Sequence, residues 1–225
     1  MLVFASLFVS CEDNPVGPSY KKVGSATATN AFISVSTTTP LPGTSVTVTL
    51  KYVNISSDPA DELILLVREG AEGAFTEVTS FDESSQSLRT EATRTYNFNI
   101  TQPPGTQLTF RLELHSQKEF PKLVNSPTVT VQLPAPQLDD AFDVTSSGFT
   151  ISWSEVEHAD GYRLDISTAA NFSSKIAGYD QKVVTGLTEV VAGLSPTTTY
   201  YIRVYAAKGT LRSQASAVKS VVTGS

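Results

Sequence analysis

From residue 28 onward apolar and polar side chains alternate with a period of two. Ile33 and Val35 alternate with Ser34 and Ser36; after Pro42-Gly43, Val46, Val48, Leu50 and Tyr52 alternate with Thr47, Thr49 and Lys51. Successive side chains of a strand point to opposite faces, so this pattern sends one set into a core and the other into water. The same reasoning predicts strands over residues 62–68, 74–80, 94–100 (Tyr96, Phe98 and Ile100 inward), 107–115 (Leu108, Phe110, Leu112 and Leu114 inward) and 128–133. Turn clusters such as Ser56-Ser57-Asp58-Pro59 and Gln102-Pro103-Pro104-Gly105 separate them. Seven short strands with turns between them predict a two-sheet antiparallel sandwich over residues 28–133.

Pro134-Ala135-Pro136 interrupts the pattern and opens a second unit over residues 134–225. Phe149, Ile151 and Trp153 form one inward stripe, Tyr162, Leu164 and Ile166 a second, and Tyr200, Ile202, Val204 and Ala206 a third. The fold class is therefore all-β: two tandem antiparallel β-sandwich domains. In the second unit, Gly193-Leu194-Ser195-Pro196-Thr197-Thr198-Thr199-Tyr200, followed by Val204 and Ala206, resembles the corner between strands E and F of fibronectin type III domains. With Pro134 and Pro136 at the front, Trp153 on the second strand and Tyr162 on the third, the resemblance runs through residues 134–225. It implies that Trp153 fills the middle of the core and that the Tyr200 hydroxyl ties the crossover loop, with Tyr162, Leu194 and Pro196 as further structural positions. The first unit resembles the immunoglobulin and fibronectin folds more distantly: Pro104-Gly105-Thr106-Gln107-Leu108 stands at the corner, with Leu108 in the tyrosine slot.

Residues 1–9 are apolar apart from Ser6 and lead through Ser10 to Cys11 and then to Glu12-Asp13-Asn14-Pro15. A short apolar stretch ending in a small residue reads as a secretory segment. With cysteine at that point, residues 1–11 resemble a bacterial lipoprotein signal, which implies that Cys11 is acylated and becomes the mature N-terminus. The acidic residues that follow resemble the export signals of surface lipoproteins in the Bacteroidetes group. The implied address is the bacterial outer membrane, lipid-anchored and facing outward. The alternative is a first strand that ends in a buried thiol. Residues 12–27, with Pro15, Gly17, Pro18 and Gly24, show no hydrophobic periodicity and read as a flexible tether. Fully extended, about 16 residues reach at most roughly 50 to 55 Å.

Composition narrows the function classes. Of 225 residues, 55 are Ser or Thr, a balance that favours pleated over helical surface. The net charge is −6, and neither unit carries more basic than acidic side chains, so nucleic acid is not an expected partner. His115 and His158 are the only imidazoles and fall in different units, and Cys11 is the sole thiol. No Ser-His-Asp or Cys-His set and no metal site follows from this inventory, and no cofactor is expected. Asp61-Glu62, Asp82-Glu83 and Asp139-Asp140 are adjacent carboxylates; strand neighbours face opposite ways, and such pairs in loops are expected to be solvated. The sequence therefore predicts a non-enzyme.

A candidate binding face follows from strand parity. If Tyr200, Ile202, Val204 and Ala206 face inward, Tyr201, Arg203 and Tyr205 face outward, opposite Arg163 and Asp165 on the neighbouring strand. Two exposed tyrosines flanking an arginine suit stacking on sugar rings or a protein partner; the alternative is ordinary cross-strand packing of Tyr with Arg. Three roles are compatible with these features: a surface-tethered, non-catalytic binding or spacer module, such as an accessory to an outer-membrane assembly; a glycan-binding lipoprotein; or a structural subunit of a surface fibre or sheath that assembles by strand addition.

Overall fold

The computed structural model describes residues 31–54, 59–116 and 121–225. The signal-like segment, Cys11 and the tether lie outside the described residues. Every regular element among those described is a strand. The first unit contains β1 (Phe32–Val35), β2 (Ser45–Val53), β3 (Ala60–Glu69), β4 (Thr76–Asp82), β5 (Glu91–Asn99), β6 (Gln107–Ser116), β7 (Lys122–Asn125) and β8 (Val129–Thr130). The second contains β9 (Gly148–Ser152), β10 (Gly161–Ser167), β11 (Lys182–Val184), β12 (Thr188–Ala192), β13 (Thr199–Lys208), β14 (Leu211–Arg212) and β15 (Lys219–Val222).

Both units share one connectivity. In the first, β1-β2-β5 form one antiparallel sheet and β4-β3-β6 the other, with β7 and β8 on the free edge of β6. In the second, β12 pairs with β9 while β11-β10-β13 form the facing sheet, with β14 and β15 on the far edge of β13. A first edge strand matching β1 is reduced there to two isolated bridges, Leu138 to Trp153 and Phe142 to Thr150. Each pair of sheets closes over its own core. Val46, Val48, Leu50 and Tyr52 of β2 are buried with Leu63 and Leu65 of β3 and Leu108, Phe110, Leu112 and Leu114 of β6. Phe149, Ile151 and Trp153 are buried with Tyr162, Leu164, Ile166, Tyr200, Ile202, Val204 and Ala206. The Pro42-Gly43 turn works because Gly43 takes φ 75°, a conformation that costs glycine nothing.

The last edge differs from the alternation-based expectation. Instead of one strand over residues 128–133, β7 and β8 lie on β6 as two short pieces separated by Ser126-Pro127-Thr128. Proline has no N–H to give the ladder, and serine repairs the break. Ser126 N–H donates to the Phe110 carbonyl at 2.8 Å, while its hydroxyl accepts the Phe110 N–H at 3.0 Å. The second unit repeats the device. Ser213 Oγ accepts the Ala206 N–H at 2.9 Å and Ser216 Oγ the Val204 N–H at 3.1 Å, bridging the gap between β14 and β15.

A second difference concerns the acidic pair Asp82-Glu83. Glu83 is fully buried, not solvated. Its carboxylate is gripped by Arg94, with Nε 2.8 Å from Oε1 and Nη2 2.9 Å from Oε2, and Oε2 also accepts the Tyr52 hydroxyl at 2.6 Å. Burial and the neighbouring carboxylate push the Tyr52 phenol well above its ordinary value, so it remains a donor.

Candidate functional site

The outer face of the sheet built on β10 and β13 collects the polar chemistry of the second unit. Register sets the rows: Arg163 lies opposite Tyr205, Asp165 opposite Arg203 and Ser167 opposite Tyr201. Alternation points all six away from the apolar core, since Leu164, Ile202 and Val204 between them are fully buried.

Facing outward does not mean facing water. Asp165 has no exposed surface. One of its oxygens accepts the backbone N–H and the side-chain amide of Gln181, both at 2.8 Å. The other accepts Arg203 Nε at 2.9 Å and Nη2 at 2.8 Å, with Lys175 Nζ at 3.4 Å. Burial alone would raise the Asp165 pKa, but the Gln181 N–H, Arg203, the Gln181 amide and the Lys175 charge together hold it below the usual carboxylate value. Lys175 also binds Asp180, and that contact raises its own pKa.

The expectation of two open tyrosines is corrected at Tyr205, which is only 7% exposed. Guanidinium groups cover it: Arg212 lies 4.6 Å from the ring centre and Arg203 5.5 Å. Arg203 in turn stacks at 3.9 Å on Phe172, a buried ring delivered by the loop after β10 from a backbone at φ 59°. Phe172, Arg203, Tyr205 and Arg212 thus form a ladder of alternating rings and cations across the sheet. Tyr205 and Arg203 follow the cross-strand packing alternative. Tyr201 is half-buried and Arg163 partly exposed.

Arg212 and Gln181 are the residues that sequence reasoning missed. Arg212 lies across the Gly209-Thr210 turn, opposite Ala207, so extending the parity of β13 through that hairpin would have placed it on this face. Arg163, Gln181 and Arg212, with the turn at residues 209–211, line a shallow recess of about 520 Å³.

The corner residues are structural. Tyr200 is buried and its hydroxyl accepts the Ser195 N–H at 3.0 Å. Leu194 packs against the core, and the Pro196 carbonyl accepts the Thr198 hydroxyl at 2.9 Å. Trp153 lies 5.6 Å from Tyr162 between ring centres, and the Tyr162 hydroxyl accepts the Val156 N–H at 3.0 Å.

The two imidazoles are held by glutamates on separate units, His115 at 3.3 Å from Glu113 and His158 at 3.5 Å from Glu157. No group of three or more His, Cys, Asp or Glu with metal-binding geometry occurs among the described residues. Nor is any described helix long and apolar enough to cross a membrane.

Fold and site together define an all-β sandwich protein whose described polar clusters are structural pairs plus one open basic recess. Residues 134–221 match the fibronectin type III domain family, in agreement with the Tyr200 corner. That part of the chain is similar to fibronectin type III domains, units that are typically non-catalytic modules for binding or spacing. No curated protein matches the chain. Among solved structures it is similar to a two-domain fibronectin type III segment of chicken tenascin, at 19% identity and TM-score 0.49, covering 85% of this chain and 97% of that one. It is also similar to the sixth fibronectin type III domain of human fibronectin type III domain containing protein 3, at 27% identity and TM-score 0.33, covering 41% of this chain and 84% of that one.

Proposed function

We propose that the chain is a non-catalytic, lipid-anchored module of a bacterial outer membrane that carries two sandwiches outward and presents the β10–β13 sheet face to a partner. The observation that carries the reading is the state of that face: Asp165, Arg203 and Tyr205 are locked into one another, while Arg163 and Arg212 line an open recess at one end. A locked ladder is a rigid platform rather than reactive machinery, because a general acid or base needs an accessible titrating group. The placement of Cys11 after an apolar stretch supports the anchor, and acyl chains adding about 0.8 kcal/mol per buried methylene hold a protein at a bilayer without a spanning helix.

The test is fractionation of cells expressing the full chain beside Cys11→Ser. The wild type is expected in the outer-membrane fraction, labelled by a fatty-acid analogue, and the variant unlabelled in the soluble fraction. Equal distribution of the two would overturn the anchor.

A further inference from the structure

Most of the outer face of this sheet is filled, but one end is bare. Gly161 lies opposite Ala207, and Ala207 opposite Arg212 on its other side. A glycine and an alanine thus meet at the end of the paired strands: Ala207 lines the recess, and both line the depression beside it. The hollow continues from there as a second depression of about 250 Å³ that runs past Asp160, Val183 and Thr185 and shares Arg163, Ala207 and Gly209 with the first. The result is an open trough with a cation on each wall.

Neither cation is neutralised by an acid among the described residues. Arg163 donates to its neighbour's carbonyl on Tyr162 at 3.3 Å, and Arg212 to the Gln181 side-chain oxygen at 2.7 Å. Asp160, the carboxylate in the trough, accepts the Gly209 N–H at 2.8 Å. Arg163 and Arg212 thus face one hollow with no acid paired to either, since its one carboxylate, Asp160, is turned to the Gly209 N–H, and this leaves both forks open to a bound oxyanion. A planar guanidinium matches the planar fork of a carboxylate with two parallel hydrogen bonds.

We propose that this trough binds a carboxylate-bearing sugar chain, with Arg163 and Arg212 taking the carboxylate and the Gln181 amide and Thr210 hydroxyl taking ring hydroxyls. Between the two arginines the trough lies over β10 and β13, whose backbones are paired on both sides, so an extended peptide could add to the sheet only at the β11 edge and not between Arg163 and Arg212. Its continuity past Val183, which is 61% exposed, suits a polymer passing through rather than a single enclosed ion. The proposal deepens the binding reading above and rests on it.

The test is calorimetric titration of the full chain at low salt with oligogalacturonate, free galacturonate, a neutral oligosaccharide of equal length and a glutamate-rich peptide. Oligogalacturonate is expected to bind and to weaken about tenfold or more in Arg163→Gln and in Arg212→Gln, each removing charged hydrogen bonds, while Lys219→Gln, on another part of the unit, leaves affinity unchanged. Arg163→Lys, which keeps the charge and loses the fork, is expected to lie between. Unchanged circular dichroism shows that each variant is folded. Three results would overturn the proposal: no heat with oligogalacturonate, equal affinity for the free sugar or the peptide, or indifference to both arginine substitutions. If binding fails while fractionation still depends on Cys11, the trough assignment falls and the tethered-module reading stands.

Discussion

Replacing Asp165 by Asn tests whether the polar side of the second unit is interior or surface. The substitution keeps the shape but removes the charge facing Arg203, whose Nε and Nη2 sit 2.9 and 2.8 Å from one carboxylate oxygen, and puts an amide N–H₂ against either Arg203 or the two Gln181 donors. Breaking a buried ion pair by removing one partner costs about 3 to 5 kcal/mol, whereas an exposed pair contributes about 0 to 1 kcal/mol. Asp165 is fully buried, but the Arg203 side chain is 26% exposed and can recover some hydration, so the loss belongs at the lower end, about 3 kcal/mol. At roughly 4 to 8 °C per kcal/mol for a domain of this size, the transition should fall by about 12 to 24 °C. Trp153 is the only tryptophan and sits in the second core, so its fluorescence in a urea titration reports that unit alone. A loss under about 1 kcal/mol, or a wild-type stability that 1 M salt erodes, would show the pair to be a screened surface contact and refute the reasoning.

Three further outcomes follow from the same geometry. Because its folded pKa is depressed, Asp165 contributes stability that is fully present above the ordinary carboxylate value of 3.8 and is lost as pH falls through the lower folded value; the urea midpoint should hold from pH 7 to 5 and drop below pH 4, with that part of the drop missing in Asp165→Asn. Tyr200→Phe takes the acceptor from the Ser195 N–H and should cost about 1 kcal/mol by the same fluorescence assay. Ser216→Ala leaves the buried Val204 N–H without its hydroxyl partner; the expected loss is about 1 to 3 kcal/mol, together with faster hydrogen exchange at that amide.

Legibility in the sequence depended on whether one face of a strand meets a continuous core. β2, β6 and β13 announce themselves because Val46, Val48, Leu50, then Leu108, Phe110, Leu112, then Ile202, Val204, Ala206 all enter a core at every second residue. The edge pieces do not: in β7, Leu123 is 48% exposed and only Val124 packs on the core, so no alternation marks it. Serine hydroxyls standing in for ladder groups at Ser126, Ser213 and Ser216 leave no hydrophobic trace either. For the site, parity placed Arg163, Arg203 and Tyr205 on one face but could not say what lies on top of them. Tyr205 is covered by Arg212 from across a turn and Arg203 is stacked on Phe172 from a distant loop, contacts fixed by tertiary structure alone. Glu83 escaped for the same reason, since its arginine comes from another strand, 11 residues on.

Each unit conceals one carboxylate under one arginine, and the two placements restrain different errors. Glu83 follows β4 in one sheet, whereas Arg94 and Tyr52 belong to β5 and β2 in the other, so this cluster joins the two sheets of the first unit. Asp165 and Arg203 are partners across adjacent strands of one sheet, so their bond fixes how β10 aligns with β13. The only cysteine is at position 11, so no disulfide can enforce either alignment within residues 31–225. A slip of β10 by one residue would turn Asp165 toward the space of Leu164, moving a charge into an apolar core at a cost of several kcal/mol. The same slip would expel Tyr162, Leu164 and Ile166 from the core, so the Asp165–Arg203 bond adds a polar penalty to the apolar one that already fixes the register. Asp165 therefore matters to the proposed trough as well, because the register it enforces is what sets Gly161 against Ala207 and opens the floor between Arg163 and Arg212.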